Sequence, residues 1–360
     1  MPTRRAFIGG LAAASAYAGR GWAKVGHPAY LAAARDGTGA YRLFGLDEDG
    51  NGLFSVDLPD RGHAAAAHPH RAQAVAFARR PGTFAIVIDC ETGRTTSVLN
   101  APAGMHFYGH GAFSADGTRL FTTENEFDTA TGMIGVWDVA DGYRRIGSFA
   151  SGGIGPHDVR LMPDGRTLVV ANGGIETHPD SGRAKLNIPF MQPNLTYVSL
   201  SGEIVEQVEP EASRHMNSIR HLAVSPDGLV AFAMQWQGDV SEAPSLVALH
   251  RRGAAFTYLD TPPDEHRKMQ GYAGSIAFSG NGAQVAITSP RGGLVQVFDV
   301  ATARYRRSIS MADVCGVAPA QGGFTITSGT GEIGRPDGAS AGVLIQHDVQ
   351  WDNHLVALHA

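Results

Sequence analysis

Short runs of apolar residues, each followed by a tight-turn signal and a second apolar run, repeat along the chain. One unit reads GHGAFSADGTRLFTTEN from Gly109, and another reads PHDVRLMPDGRTLVVANGG from Pro156. Asp-Gly and Asn-Gly pairs supply the positive φ angles that a tight hairpin needs. A third apolar run and a more polar fourth run complete several units, as in GVWDV and YRRIGSFA. The pattern therefore predicts units of four short strands.

The number of units and the two chain ends indicate a closed ring. Further units begin at Gly62, Arg220, Gly274 and Val314, and the C-terminal segment DNHLVALHA reads as a first strand with nothing after it. Three runs near the N-terminus, AYLAAARD, YRLFGLDEDG and LFSVDLPD, read as a unit that lacks its first strand. Four strands per repeat are typical of propeller blades. We therefore predict an all-β seven-bladed β-propeller, whose last blade is closed by the C-terminal strand pairing with N-terminal strands.

Composition agrees with many short strands and argues against one class of partner. The chain of 360 residues contains 46 glycines scattered among apolar residues, and its formal net charge is −5. Because no basic tract is present, we expect no nucleic-acid partner. The two cysteines, Cys90 and Cys315, fall on different predicted blades, and we expect both to be free, buried thiols.

The N-terminus predicts export. The segment TRRAFIGGLAAASAYAGRGWA contains a twin arginine followed by a weakly apolar stretch that is too short to be a stable membrane anchor. We predict a twin-arginine signal peptide over residues 1–23 and one propeller domain over 24–360, located in the periplasm with no membrane span after signal removal. The preferred cleavage site is Gly21-Trp22-Ala23, and Ala16-Tyr17-Ala18 is the alternative.

Propeller geometry sorts the polar residues between two ends of the ring. The first strand of each blade lines the central channel, and its entrance lies at the same end as the loop between the second and third strands. That loop end includes a long insertion, residues 172–194, whereas the Asp-Gly turns lie at the other end. Because function on such scaffolds usually resides on varied loops, we predict a site at the loop end. First-strand entrances on five consecutive blades carry His354, His63, His110, His157 and His221.

These histidines have two interpretations. Gly109-His110 followed by Trp137-Asp138 matches a propeller repeat in which the histidine is structural. If the histidines instead meet at the channel mouth, imidazole chemistry favours a transition metal, iron or copper, held by His63, His110 and His157 with Glu124 in support.

Other loop-end residues could contact a ligand. Arg291, with Arg183 and Lys185, could bind an anion. The complete set of candidate ligand-binding residues is His110, Glu124, Asn125, His157, Asn172, His221, Arg291 and His354.

Longer segments carry a family resemblance. HFYGHGAFSADG, GIGPHDVRLMPDGRTLVVANGGIETHPDSGRAKLN, SIRHLAV, VAITSPRGG, DVCGV and WDNHL resemble a bacterial family catalogued as domain of unknown function 1513, related to YVTN and quinoprotein amine dehydrogenase-like propellers. The resemblance covers essentially the whole mature chain and implies a periplasmic propeller with no assigned reaction, in an iron-linked metal-uptake context. One departure is His68-Pro69-His70, which replaces the expected Pro-Asp-Gly turn and could distort it.

Three functions remain open from the sequence. The first is a non-enzymatic periplasmic binding or assembly protein in iron or copper handling, whose partner is a small ligand or a periplasmic protein. The second is a metal-dependent propeller oxidoreductase or lyase with its site at the channel mouth. The third is an interaction scaffold without a small ligand.

Overall fold

Seven four-stranded antiparallel sheets form a ring, which confirms the predicted seven-bladed β-propeller. The computed structural model describes residues 21–78, 84–182 and 184–358. Blade 1 consists of β4 (Gly62–Ala67), β5 (Gln73–Ala78), β6 (Phe84–Asp89) and β7 (Arg94–Asn100). Blade 2 consists of β8 (Met105–Phe113), β9 (Arg119–Glu126), β10 (Thr131–Asp138) and β11 (Arg144–Ala150). Blade 3 consists of β12 (Pro156–Leu161), β13 (Thr167–Asn172), β14 (Asn194–Ser199) and β15 (Ile204–Val208).

The remaining blades follow the same meander. Blade 4 consists of β16 (Asn217–Val224), β17 (Val230–Trp236), β18 (Val247–His250) and β19 (Thr257–Tyr258). Blade 5 consists of β20 (Ser275–Phe278), β21 (Gln284–Ser289), β22 (Leu294–Asp299) and β23 (Arg304–Ser310). Blade 6 consists of β24 (Val314–Ala320), β25 (Gly323–Ser328), β26 (Glu332–Gly334) and β27 (Val343–Gln346). Blade 7 combines β28 (Val349–Ala357) with β1 (Tyr30–Asp36), β2 (Tyr41–Leu46) and β3 (Gly52–Leu58). One short α-helix, α1 (Pro263–Lys268), precedes blade 5.

The predicted closure by the C-terminal strand is present. β28 pairs antiparallel with β1, with Tyr30 opposite Ala357 and Arg35 opposite Gln350. Trp351 is buried in this blade, packs edge-on against Phe44 at 5.2 Å between ring centroids, and donates a hydrogen bond from Nε1 to the Gly331 carbonyl of blade 6. The last strand therefore joins the first strands of the chain to the preceding blade.

The core of the described chain is divided among the blade interfaces. Seven clusters of buried apolar residues each span two adjacent blades. Between blades 3 and 4, for example, Val169 and Tyr197 pack with Phe232. Both cysteines are buried free thiols, as predicted. No helix in the described ranges combines the length and the hydropathy of a membrane span.

The turn that departs from the Asp-Gly pattern is well formed. Asp164 Oδ1 accepts hydrogen bonds from the backbone N–H groups of Arg166 and Thr167, as expected for a turn aspartate. In blade 1, His68 Nδ1 accepts from the backbone N–H groups of His70 and Arg71 at 3.0 and 3.1 Å. The imidazole thus performs the role of the missing carboxylate, and the expected distortion does not occur.

Candidate functional site

Five histidines from five consecutive blades meet inside the channel. Their ring centroids are separated by 4.9 Å for His63–His110, 5.3 Å for His110–His157, 4.7 Å for His157–His221, 4.6 Å for His221–His354 and 4.8 Å for His354–His63. All are buried except His157, which is partly exposed. We call this set the histidine cluster. The sequence interpretation had placed such a gathering at the mouth of the channel.

Backbone irregularities place these side chains in the channel. The pairing register of each histidine-bearing first strand shifts near its histidine. The shifts lie between Gly62 and Ala65, between Phe107 and Gly111, between Pro156 and Asp158, and between Ile219 and His221. For His354, the shift lies opposite Ala32 and Ala34 of the partner strand β1. Of the two first strands without a histidine, β24 also shifts, between Val314 and Val317 around Cys315, whereas β20, which carries Ser275, pairs without a shift. A β-bulge redirects the local side chain, so the bulges explain how residues of different strands point to one volume.

Gly109 provides the space for two of these rings. Its φ is +102°, and a Cβ added to it would lie 2.5 Å from His63 Cδ2. A larger residue at this position would therefore both strain the backbone and displace the imidazole of the neighbouring blade. The Gly-His pair consequently serves the cluster, because the glycine admits His63 and the histidine contacts it.

A buried carboxylate orients His110. Asp158 is 1% exposed, and its Oδ1 lies 3.2 Å from His110 Nδ1. The same carboxylate accepts hydrogen bonds from the Leu222 N–H at 3.0 Å and from Arg160 Nη2 at 3.3 Å. Burial alone would raise the pKa of Asp158, but Arg160 and His110 outweigh burial and hold it well below its usual range. The ionised carboxylate therefore keeps the proton of His110 on Nδ1 and leaves Nε2 as an acceptor.

Three of the other imidazoles are held neutral. Burial lowers the pKa values of His157, His221 and His354 well below the ordinary value, and the neighbouring imidazoles and arginines lower them further. Arg220 Nη1 lies 3.3 Å from His157 Nδ1 and donates to it. Neutral imidazole is the form that binds metals, so these three rings are in the ligating state at neutral pH.

Two overlapping groups of three histidines have metal-binding spacing. In His63, His110 and His157, one nitrogen from each residue lies within 4.8 Å of the others, and the same holds for His110, His221 and His354. We call these the first and the second triad. His63 Nε2 and His110 Nε2 are 3.2 Å apart, which matches the roughly 3 Å between two nitrogens that bind one ion at about 2.0–2.1 Å each. The first triad is the set proposed from the sequence.

Glu124 is directed away from the histidines. Its Oε1 accepts hydrogen bonds from Thr122 Oγ1 at 2.7 Å and from Arg145 Nη1 at 2.6 Å on the outer strand β11. A Cβ on Gly135 would lie 1.9 Å from this oxygen, so the glycine opens the passage through which the carboxylate crosses the blade. Glu124 therefore belongs to the packing of blade 2, and the carboxylate beside the histidines is Asp158.

Three further candidates have mainly structural contacts. Asn172 Nδ2 donates to the Ser151 carbonyl and to Asn194 Oδ1, which fixes the start of the insertion. Asn125 Nδ2 donates to the Thr177 carbonyl at 3.4 Å. Arg291 is exposed and lies over the Tyr272 ring at 4.4 Å. Arg183, the proposed companion of Arg291, is outside the described residues.

The first residues of the insertion pack onto the loop end. Tyr108 Oη lies 3.2 Å from Thr177 Oγ1, and Ser218 Oγ donates to the Gly173 carbonyl at 2.7 Å. Ile175 and Thr177 are buried. Residues 173–177 thus cover first-strand entrances at the end where the sequence predicted an open site.

A cavity of about 670 Å³ lies at the opposite, turn end. Its rim includes the exposed turn residues Asn281 and Gln321, and its interior is lined by Arg160, Ser275 and His354. The histidine cluster is therefore accessible from the turn end, which the sequence interpretation had assigned to structural turns alone. The volume is in the range of small-molecule sites.

Comparisons with known proteins agree with this architecture. A family model described as a protein of unknown function, DUF1513, matches residues 56–358. No curated protein matches the sequence. Among solved structures, Kuenenia stuttgartiensis hydrazine synthase is similar with a TM-score of 0.59 and 15% identity, over 80% of this chain and 86% of that chain. Such a likeness concerns the fold alone. The extent of the family match shows that this chain belongs to the DUF1513 family of proteins of unknown function.

Proposed function

We propose that this propeller is an exported protein that binds a transition-metal ion, iron or copper, in the histidine cluster. The observation that carries the proposal is the convergence of five imidazoles in one channel, with a buried carboxylate on the Nδ1 of the shared His110. Imidazole suits copper, iron, zinc and nickel, and a carboxylate behind a ligating histidine fixes its tautomer and raises its basicity. The protein acts in binding or assembly, and it receives the ion from, or passes it to, a small ligand or a periplasmic protein.

Metal binding can be tested on the exported protein and on designed variants. We expect protein purified from the periplasm to carry copper or iron by elemental analysis, and metal-free protein to bind Cu²⁺ with nitrogen couplings in its electron paramagnetic resonance spectrum. His110→Asn should weaken binding about 100-fold or more, because His110 belongs to both triads. The exposed His27 provides the control variant, His27→Asn, which should bind as the wild type does. A wild type without nitrogen couplings, or an unaltered His110→Asn, would refute the proposal.

The burial of Trp22 bears on how export would process the chain. Trp22 is 1% exposed, donates from Nε1 to the His68 carbonyl at 3.0 Å, and packs in the cluster between blades 7 and 1. Cleavage at the preferred site after Ala23 would remove this core residue. The structure of the domain therefore supports the alternative site after Ala18.

We expect the exported protein to begin at Gly19 by intact-mass analysis, since this end retains Trp22. Replacing the twin arginine, as Arg4→Lys with Arg5→Lys, should leave the precursor unprocessed in the cytoplasm. Trp22→Phe is a suitable control, because it keeps the apolar packing and leaves the arginines intact. A mature chain that starts at Lys24, or export that survives the double replacement, would count against the assignment.

A further inference from the structure

The hydrogen bonds of the first triad occupy two of its nitrogens. A guanidinium can only donate, so the lone pair of His157 Nδ1 is used by Arg220 and the proton of the neutral ring lies on Nε2. Asp158 keeps the proton of His110 on Nδ1, so the 3.2 Å contact between His110 Nε2 and His63 Nε2 requires His63 Nε2 to be the donor. An ion in the first triad would have to displace Arg220 and change the tautomer of His63.

The second triad has nitrogens available for a ligand. His221 Nδ1 and His354 Nε2 are buried and have no hydrogen-bond partner among the described residues. His221 is 4% exposed and His354 is 8% exposed. Their rings are the closest pair in the cluster, at 4.6 Å between centroids. Buried polar atoms without a partner are rare in native proteins and point to an ion or another group that satisfies them. His110 completes the triad with Nε2, at the cost of one hydrogen bond from His63.

Access also favours the second triad. His354 lines the turn-end cavity of about 670 Å³, so a ligand that enters this cavity reaches the imidazole directly. Arg160 lines the same cavity and is bonded to Asp158, which places a cation beside the carboxylate that orients His110. A site of three histidines with a neighbouring cavity has the form of an open metal centre, in which a fourth position remains for water or an exogenous ligand.

We propose that the resting metal position is the second triad, His110, His221 and His354, that the ion enters from the turn-end cavity, and that the channel holds one ion at a time. This inference rests on the proposed metal-binding function. The limit of one ion follows from His110, because both triads need it. Two ions could share its ring only if Nδ1 lost its proton and its bond to Asp158, and a single nitrogen lone pair binds one ion.

The matched test compares two double variants with the same number of replaced histidines. His221→Asn with His354→Asn should weaken Cu²⁺ or Zn²⁺ binding about 100-fold, whereas His63→Asn with His157→Asn should change it less than about 10-fold. Asp158→Asn should weaken binding about 10- to 100-fold while leaving the three ligands in place. Native mass spectrometry of the wild type should show one ion per chain.

A measurement on the wild type keeps the test independent of whether the variants fold. Anomalous diffraction from crystals grown with Zn²⁺ should place the ion among His110, His221 and His354. Density within the first triad, a stronger loss from the His63 and His157 double variant, or two ions per chain would overturn this inference and leave metal binding intact. A wild type that binds no ion would instead refute the proposed function itself.

Discussion

A chain that ends at residue 348, and so lacks β28, should fail to form a cooperatively folded propeller. β28 is the channel-lining strand of blade 7, and its loss would leave the edge of β1 unpaired and the cluster between blades 6 and 7 without Trp351 and Leu355. Removing one large buried aromatic side chain costs about 3–5 kcal/mol, and the total stability of a domain is only about 5–15 kcal/mol. The truncation should therefore abolish the urea transition followed by near-ultraviolet circular dichroism.

The matched control for this truncation is a chain that ends at residue 358, which keeps the whole of β28. A point variant tests the same strand more finely: Trp351→Ala should lower the free energy of unfolding by about 3–5 kcal/mol. Gln350→Ala, at the exposed neighbouring position, should change it by less than about 0.5 kcal/mol. If the chain ending at 348 unfolded cooperatively at nearly the same urea concentration as the longer chain, closure would not be needed for stability.

Metal-free protein should lose stability steeply as the pH falls below neutrality. Burial lowers the pKa of His68 to about 4 and lowers the pKa values of His157, His221 and His354 well below 6.5. In the unfolded chain these rings bind protons near 6.5, so the unfolded state takes up protons that the folded state excludes. The stability that these neutral rings contribute is fully present above pH 6.5. The part due to His68 is lost as the pH falls from 6.5 to about 4, and the part due to the other three rings is lost progressively below 6.5.

The expected slope follows from the number of protons. Each ring that is protonated only in the unfolded state contributes about 1.4 kcal/mol per pH unit, so four rings give roughly 5 kcal/mol per pH unit below 6.5. The charged groups facing the cluster are Asp158, Arg160 and Arg220. The Asp158 carboxyl does not add to this slope of stability against pH, because its lowered pKa affects stability only at pH values more acidic than those at which the histidines titrate.

Urea unfolding at a series of pH values, in the presence of a chelator, measures this slope. His68→Asn should reduce the slope by about one proton, because an asparagine oxygen can accept the same turn hydrogen bonds without titrating. His27→Asn, at an exposed position, serves as the control. Stability that is independent of pH between about 6.5 and 5 would show that the histidines titrate alike in both states.

The blades and their closure could be predicted because they depend on local signals. Alternating apolar runs and Asp-Gly turns fix each hairpin by itself, and the incomplete units at the two ends complement each other. These inferences needed only the order of the strands. The corresponding positions of the five histidines on their first strands allowed two interpretations, a structural role in each blade or a meeting at the channel, and the sequence did not decide between them.

The chemical state of the cluster could not be predicted, because it depends on side-chain directions set by bulges. Asp158 follows His157 in sequence, yet its carboxylate bonds to His110 of the neighbouring blade. The sequence predicted Glu124 as a support for the metal, but the space at Gly135 lets its carboxylate bond to Arg145 instead. Arg220 precedes His221 directly, and this adjacency was the one sequence signal of its place beside the cluster. The end of the channel from which the histidine cluster can be reached depends on how residues 173–177 pack. The loop sequence alone does not reveal this packing.

The division of blade 7 between the two chain ends has a consequence for biosynthesis. A ribosome makes β1, β2 and β3 before the other strands of the propeller, and they form an incomplete sheet until β28 emerges. β28 also carries His354, so the second triad has only two of its three histidines until this strand has been made. Under the proposed metal-binding function, we therefore expect a chain that stops before β28 to lack both a closed ring and one ligand of the second triad.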